Sequence, residues 1–350
     1  MSLRPGQVDV NSTISAPDFR IITTLKHTLF NTQDAEPDSR TEALIRQWRD
    51  ITTRLFALHT RRLREAAEAC GWTDVATRLT PPASVVAVAD EEEKEKPSSS
   101  SSTDKPFNIQ VLVENAVAAA AAAKAGGTSS PSHGPRAGYL RDFRVRVLIS
   151  RAGEVSVECT AMGEDRPLST LTDAVDMYTS CPFTSTVPGH QGQAAAGLST
   201  PPPPPPPQQP QPCHVTIDAQ PTHPTLFTRH KTTVRTAYND ARGRATDSPL
   251  PLPTTPPTTR EVLLFNDDGL VTEASLSAVY FLRRSGARRW VTPRSDAGGM
   301  HSATRLYALE AGWCDEGSVS VQDVQDGEVV WLSNAVRGFF PGVVRRRENA

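Results

Sequence analysis

Lys231 stands in the stretch TLFTRHKTTVRTAYNDARGR, residues 225–244, behind an apolar segment and a Thr-Arg-His run. Arg235 and Tyr238 follow it at positions that suit one face of a helix led by the lysine. A lysine amine is usually a solvated charge. Buried beside other cations it loses its proton and becomes a nucleophile and a base. Four more features could take part in such chemistry. Glu273 ends a strand after the Asn-Asp-Asp-Gly turn at 266–269, and Arg62 lies in His59-Thr60-Arg61-Arg62-Leu63. Ser302-Ala303-Thr304-Arg305 opens a helix, and Ser333-Asn334-Ala335 closes a strand. Singly, each has an ordinary reading: a solvated strand end, a basic helix face, a helix N-cap at Ser302. Asp267 and Asp268 are explained by turn chemistry.

Three stretches can position these residues. In 17–82, FRIITTLKHTLF reads as a β-branched strand, and Leu58, Leu63, Ala66, Ala67 and Cys70 have helical spacing stopped by Gly71. In 143–160, Val145, Val147 and Ile149 alternate with polar residues, turn at Ala152-Gly153 and return through Val155 and Val157 as a hairpin. In 225–345 the lysine helix is followed by three strands around the Asp-Gly turn, then WVTP and the loop SDAGGMHSATR. A helix over 303–311 ends at Gly312, and SVSVQDV and GEVVWLSNA read as two further strands. The pattern predicts an α/β protein in two lobes. A smaller N-terminal α/β domain covers 1–165, with 84–138 a largely disordered insertion. A Pro-rich linker covers 166–224, and a larger C-terminal α/β domain covers 225–350. The charged and serine-rich run at 90–106 has almost nothing to bury. The alanine run at 116–124 lacks an amphipathic pattern, and seven consecutive prolines at 201–207 favour polyproline II.

Composition narrows the function classes. With 37 basic and 39 acidic residues, nothing global argues for nucleic acid or an anionic membrane surface. No apolar run of about 18 residues exists, so no membrane-spanning helix is expected. The first residues, MSLRPGQVDVNSTIS, lack an apolar signal core, and a cytoplasmic location is expected. Five scattered cysteines match neither a disulfide framework nor a zinc site, and no metal is expected.

The order of the motifs carries a resemblance. The His59–Leu63 pattern comes first, then Lys231, Arg235 and Tyr238, then Glu273-Ala-Ser-Leu-Ser-Ala278-Val279-Tyr280. Thr292-Pro293, Ser302–Arg305 and Ser333–Ala335 follow in turn. Over residues 17–72, 143–162 and 225–345 the chain resembles the class IV, fold-type IV family of pyridoxal-phosphate enzymes, in particular the fungal aminodeoxychorismate lyases. Ala278 stands where that family has asparagine, and Ser302 where its phosphate loop has glycine.

The resemblance implies pyridoxal 5'-phosphate as cofactor, with Lys231 the reacting amine. It implies Glu273 at the pyridine nitrogen, and Arg62, the N–H groups of Ala303 and Thr304, and Ser333, Asn334 and Ala335 around the phosphate. Arg337 is the candidate for a substrate carboxylate, with Arg235 and Arg305 also basic and close in the motif. The implied reaction converts 4-amino-4-deoxychorismate, a small-molecule substrate, to 4-aminobenzoate and pyruvate in folate synthesis, in a homodimer. Two alternatives stand beside it. One is a branched-chain or D-amino acid aminotransferase of the same family. The other is a non-catalytic relative or a scaffold that presents its polyproline segment.

Overall fold

The computed structural model describes residues 9–32, 37–82, 106–125, 138–184, 212–245, 260–283 and 289–346. In chain order these form α1 (Val10–Ile14), β1 (Ile21–Asn31), α2 (Ser39–Ala69), α3 (Thr73–Arg78), β2 (Leu79–Thr80), β3 (Phe107–Asn108) and α4 (Ile109–Ala125). Then come β4 (Tyr139–Ile149), β5 (Val155–Pro167), α5 (Leu171–Thr179), β6 (Cys213–Ile217), α6 (Leu226–Arg229) and α7 (Thr236–Arg244). The chain continues through β7 (Arg260–Phe265), β8 (Val271–Ala274), β9 (Ala278–Arg283), β10 (Arg289–Pro293) and α8 (Ala303–Glu310). It ends with β11 (Asp315–Gly317), β12 (Val329–Asn334) and β13 (Gly338–Val344).

Two sheets organise the α/β fold. The first is antiparallel, in the order β1-β4-β5. Alternation along its strands sends Ile21, Leu25, Val145, Val147 and Ile149 into one core with the C-terminal half of α2 and with α4. The second has eight strands in the order β11-β10-β9-β12-β13-β6-β7-β8. Its far edge curls back, because Leu270 bridges Ser320 and Val271 N donates to Val319 O at 2.8 Å. Val215, Leu263, Val279, Phe281, Val330 and Leu332 fill the inside of that curl.

Helix α2 joins the two halves. It starts at Asp38, whose carboxylate accepts from Thr41 N at 2.7 Å, and ends where Gly71 adopts φ +71°. Its 31 residues extend about 46 Å. Ile45, Trp48, Ile51 and Leu58 pack with α5 and α8, while Phe56, Leu63, Ala66 and Ala67 pack under the three-stranded sheet. His59 and Arg62 therefore lie where the two cores meet.

The structure corrects several readings of the sequence. Residues 107–125, counted within the disordered insertion, form β3 and α4. Ile109, Val113 and Val117 are spaced four apart and are fully buried. That stripe begins before the alanine run, so the run taken alone shows no amphipathic face. Within 166–224, α5 carries buried Leu171, Val175 and Tyr178, and β6 is an interior strand between β13 and β7. SVSVQDV forms a short 3-10 turn at Val321–Asp323 instead of a strand, and after the turn at 335–337 the chain forms β13, a strand not expected from the sequence, which pairs along the whole of β12. The polyproline run and the acidic-serine run lie outside the described residues. Among the described residues no helix is long and apolar enough to cross a membrane.

If α4 is part of the core, Ile109→Ala costs about 2–5 kcal/mol of unfolding free energy, while the half-exposed Val111→Ala stays within about 0.5 kcal/mol. Denaturant titration of the two variants checks this, and equal small effects would return the segment to a surface insertion.

Candidate active site

Lys231 does not lead a helix. It lies between α6 and α7, and the bridge from Thr232 to Ile21 lays this segment along the outer edge of β1. Ile22 N donates to Lys231 O at 2.9 Å, and Thr233 N donates to Arg20 O at 3.0 Å. The backbone is thus fixed on both sides of the amine. Burial is the main cause of a proton affinity held well below the usual lysine range, and Arg62, Arg235, Arg144 and Arg146 lower it further. No carboxylate among the described residues forms an ion pair with this amine. A neutral amine is the form that attacks a carbonyl.

Arg62 reaches the same edge from α2. One of its terminal nitrogens donates to the hydroxyl of Thr23 and, at 3.4 Å, to Ile22 O, and its Nε is buried without any partner. Burial brings the guanidinium down to about 10, with Glu65 opposing. Thr23 Oγ1 also lies 2.7 Å from His59 Nδ1. Because Thr23 accepts from Arg62, its own proton goes to His59 Nδ1, which leaves that ring with its proton on Nε2. Burial first, then the Arg62 guanidinium, hold His59 well below the usual imidazole range. A buried, uncompensated guanidinium with an orphaned donor is costly unless an anion completes it.

Glu273 stands on β8. Its Oε1 lies 2.8 Å from the Tyr238 hydroxyl and accepts from Met300 N at 3.1 Å. The Tyr238 hydroxyl also lies 3.0 Å from Thr228 O. One phenolic proton cannot serve two acceptors, so the network is complete when Glu273 carries a proton and donates to Tyr238. Burial pushes the carboxyl up to about 7, against those hydrogen bonds and against Arg235 and Arg305. The loop that brings Met300 here needs its glycines. Gly298 has φ +106°, and a Cβ on Gly299 would meet Thr272 O at 2.5 Å.

The N-terminus of α8 is capped by Ser302, whose hydroxyl accepts from Arg305 N at 3.2 Å. That role explains serine at a position where the resembled family has glycine. The N–H groups of the buried Ala303 and Thr304 have no acceptor among the described residues. Thr304 Oγ1 accepts from Ser333 Oγ at 2.9 Å, and the Tyr280 hydroxyl lies 2.8 Å from Ser333. Asn334 differs from expectation. Its carbonyl caps the turn by accepting from Val336 N and Arg337 N, and its amide donates to Ser277, so its side chain is committed to structure. Ala335 O accepts from Lys26 N at 2.8 Å, which ties this turn to β1.

Arg337 stacks over Phe340 at 3.5 Å and lies against Cys213. Arg235 donates to Ser275 O at 3.0 Å, and Arg305 donates to Pro293 O at 2.7 Å. Sequence reasoning missed the supports. Glu261 receives the hydroxyls of Ser275 and Ser277 and the amide of Leu276, and so holds the turn after Glu273. Its position inside an apolar strand, REVLLF, is the one local signal that could have marked it. Among the described residues there is no group of three or more side chains that could hold a metal ion.

Residues 182–343 match the family model described as amino-transferase class IV. The matched region holds Lys231, Glu273, α8 and the 333–335 turn. Over 211 residues the chain is 26% identical to the aminodeoxychorismate lyase of Saccharomyces cerevisiae, covering 59% of this chain and 52% of that protein. A Schizosaccharomyces pombe relative is 34% identical over 88 residues, 24% of this chain and 37% of its own length. The chain thus spans about half or less of the curated relatives it matches. Among solved structures, the 4-amino-4-deoxychorismate lyase of Pseudomonas aeruginosa is 14% identical, with a TM-score of 0.41 over 93% of this chain and 84% of that one. A fold IV-transaminase from Curtobacterium pusillum is 16% identical, with a TM-score of 0.41 over 95% and 81%.

The Glu273 geometry sets a pH dependence of stability. Its carboxyl keeps a proton in the folded chain up to about 7, whereas the unfolded group loses it near 4.5. The folded state therefore binds more protons in that window, and unfolding free energy falls as pH rises through it. E273Q removes this contribution, so the difference between variant and wild type, without added ligand, grows by up to about 3 kcal/mol across the window. Parallel unfolding profiles would show that Glu273 is not held neutral.

Proposed function

We propose that the chain is a pyridoxal-phosphate-dependent 4-amino-4-deoxychorismate lyase that releases 4-aminobenzoate and pyruvate. The observation that carries this reading is the Lys231 segment pinned along β1, with Arg62 reaching the same edge and its Nε without a hydrogen-bond partner among the described residues. The residues present fit the cofactor. Arg62 Nε and the free N–H groups of Ala303 and Thr304 suit a phosphate, and Glu273 suits a ring nitrogen because both of its hydrogen bonds fall on Oε1. When bound, pyridoxal phosphate supplies an aldehyde and an electron sink that lets a carbon bearing nitrogen lose a proton.

The protein's own contribution follows from the geometry. Arg62 neutralises phosphate charge, and Thr23 with His59 fixes its direction. Glu273 would hold the ring nitrogen through its second oxygen, and Tyr238 and Met300 N would support the carboxylate on Oε1. Lys231 would hold the aldehyde carbon of the cofactor, and its freed amine would be placed to take the proton from the substrate ring carbon that carries nitrogen. The C–O bond to the enolpyruvyl group would then break as the ring becomes aromatic, and the released enolpyruvate would take up the proton that Lys231 removed to become pyruvate. The name of the curated yeast relative supports the lyase over other reactions of the class. A cytoplasmic homodimer is part of the same proposal.

An aminotransferase acting on branched-chain or D-amino acids is the second reading, favoured by the family match, since every residue so far assigned would serve it equally. The test is product formation with pyridoxal phosphate added. Wild type should give 4-aminobenzoate and pyruvate in equal amounts, and Lys231→Ala should lower the rate by about a hundredfold to ten-thousandfold or more. Glutamate formed from an amino acid and 2-oxoglutarate, with no 4-aminobenzoate, would replace the lyase with the aminotransferase.

A further inference from the structure

We infer that Glu261 is a positioning residue for both ends of the site: through Ser275 and Ser277 it holds Glu273 and the turn at 333–335 at a fixed separation. This role rests on the proposed function, in which Glu273 meets the cofactor's ring nitrogen and the 333–335 turn lies at its phosphate. It adds the group that keeps those two ends matched to one ligand.

Glu261 is a buried carboxylate that takes no part in the chemistry assigned so far. It lies on β7 at 2% exposure, next to the core residues Val262, Leu263 and Leu264. A charge in such a strand is costly unless both oxygens are answered, and an apolar side chain would close the strand without that cost. Both oxygens are answered from one turn. Oε2 accepts from Ser275 Oγ at 2.7 Å and from Leu276 N at 3.0 Å, and Oε1 accepts from Ser277 Oγ at 2.6 Å. The turn is closed by Ala274 N on Ser277 O at 2.9 Å and starts one residue after Glu273. Ser275 N also donates to Val262 O at 2.9 Å, so the end of β8 is fixed against the strand that carries Glu261.

The carboxylate also sets which way each serine points its proton. A hydroxyl has one proton, and both serines give theirs to Glu261, so their oxygens are left as acceptors. Ser277 Oγ accepts from Asn334 Nδ2 at 3.1 Å, and Asn334 Oδ1 accepts from Val336 N at 3.1 Å and Arg337 N at 2.9 Å. Ser333 and Ala335, on either side of Asn334, are thereby placed. Ser275 Oγ accepts from Arg242 at 2.8 Å, and Ser275 O accepts from Arg235 at 3.0 Å. Arg242 lies on α7 and Arg235 precedes it, and α7 carries the Tyr238 that meets Glu273. Tyr238, Arg235, Met300 N and Arg305 on α8 are the groups that face the Glu273 carboxyl. Glutamine at 261 keeps the shape but has one acceptor oxygen. Leu276 N cannot turn its hydrogen away, so that oxygen stays with Ser275 and Leu276, and the amide N–H pair meets Ser277. Glu261→Gln therefore breaks only the arm to 333–335, whereas Glu261→Leu, of similar size, breaks both.

The experiment compares the full chain with Glu261→Gln, Glu261→Leu and Ser277→Ala by two readouts that need no substrate. One is the dissociation constant of pyridoxal phosphate, from a titration followed by absorbance. The other is the titration of Glu273 without added ligand, read as the pH dependence of unfolding relative to the same chain carrying E273Q. Glu261→Gln should weaken the cofactor about tenfold, the value of a charge-assisted contact, and leave the Glu273 window in place. Ser277→Ala should match it within about threefold. Glu261→Leu should weaken the cofactor at least as much. It should also move the Glu273 window down from about 7 by about one pH unit or more, because a loosened β8 end lets water reach the carboxyl. Cofactor affinity within about twofold of wild type in Glu261→Gln overturns the role, and so does an unmoved Glu273 window in Glu261→Leu, whatever the thermal midpoint. Where Glu261→Leu does not fold, Glu261→Gln and Ser277→Ala decide by cofactor affinity alone. If wild type binds no pyridoxal phosphate, the cofactor reading fails by itself. The Glu273 window in Glu261→Leu then supports the positioning role by moving and overturns it by staying.

Discussion

An amine can stay unprotonated at neutral pH only where water cannot solvate its charge and no carboxylate answers it. The segment around Lys231 meets both conditions because it is pinned as an extra edge against β1, with Ile22 N on Lys231 O and Thr233 N on Arg20 O. The rest of the structure follows from that edge. The long helix α2 carries Arg62 to the adjoining carbonyl of Ile22, and the β4 arginines stand across the sheet. Cations near the amine lower its proton affinity, and the same cations demand an anion. A phosphate supplies what the protein leaves out.

A second buried group is tuned in the opposite direction. Burial lifts the Glu273 carboxyl to about 7, with Tyr238 and Met300 N converging on one oxygen. Two buried groups whose proton affinities are shifted toward each other are the usual sign of acid–base work. Here the carboxyl is held by the turn at 274–277, which Glu261 fixes, and by a loop that only glycine at 298 and 299 allows. The chemistry is thus placed by supports remote from it in sequence.

What could be read from the sequence was what local patterns encode. The β1 strand, the β4–β5 hairpin and the Gly71 and Gly312 stops were legible because alternation and positive-φ glycines are short-range signals. The motif order located Lys231, Arg62 and Glu273. The helix placed at Lys231 was wrong because the Thr232–Ile21 bridge, a contact across more than half the chain, overrides local propensity there. Helix α4 and strand β6 were lost in biased composition, since the buried stripe Ile109, Val113 and Val117 begins before the alanine run and only Val117 falls within it, and Cys213–Ile217 follows the prolines. The roles of Asn334 and Arg337 depend on which neighbours the fold supplies, and no spacing rule reports that.

The central claim is that Lys231 is the amine that reacts with an aldehyde cofactor. Incubation with pyridoxal phosphate, borohydride reduction and peptide mapping test it most directly, without reference to any substrate. The account predicts one pyridoxyl group per chain, on Lys231. A label on another lysine, or no label under saturating cofactor, would contradict it.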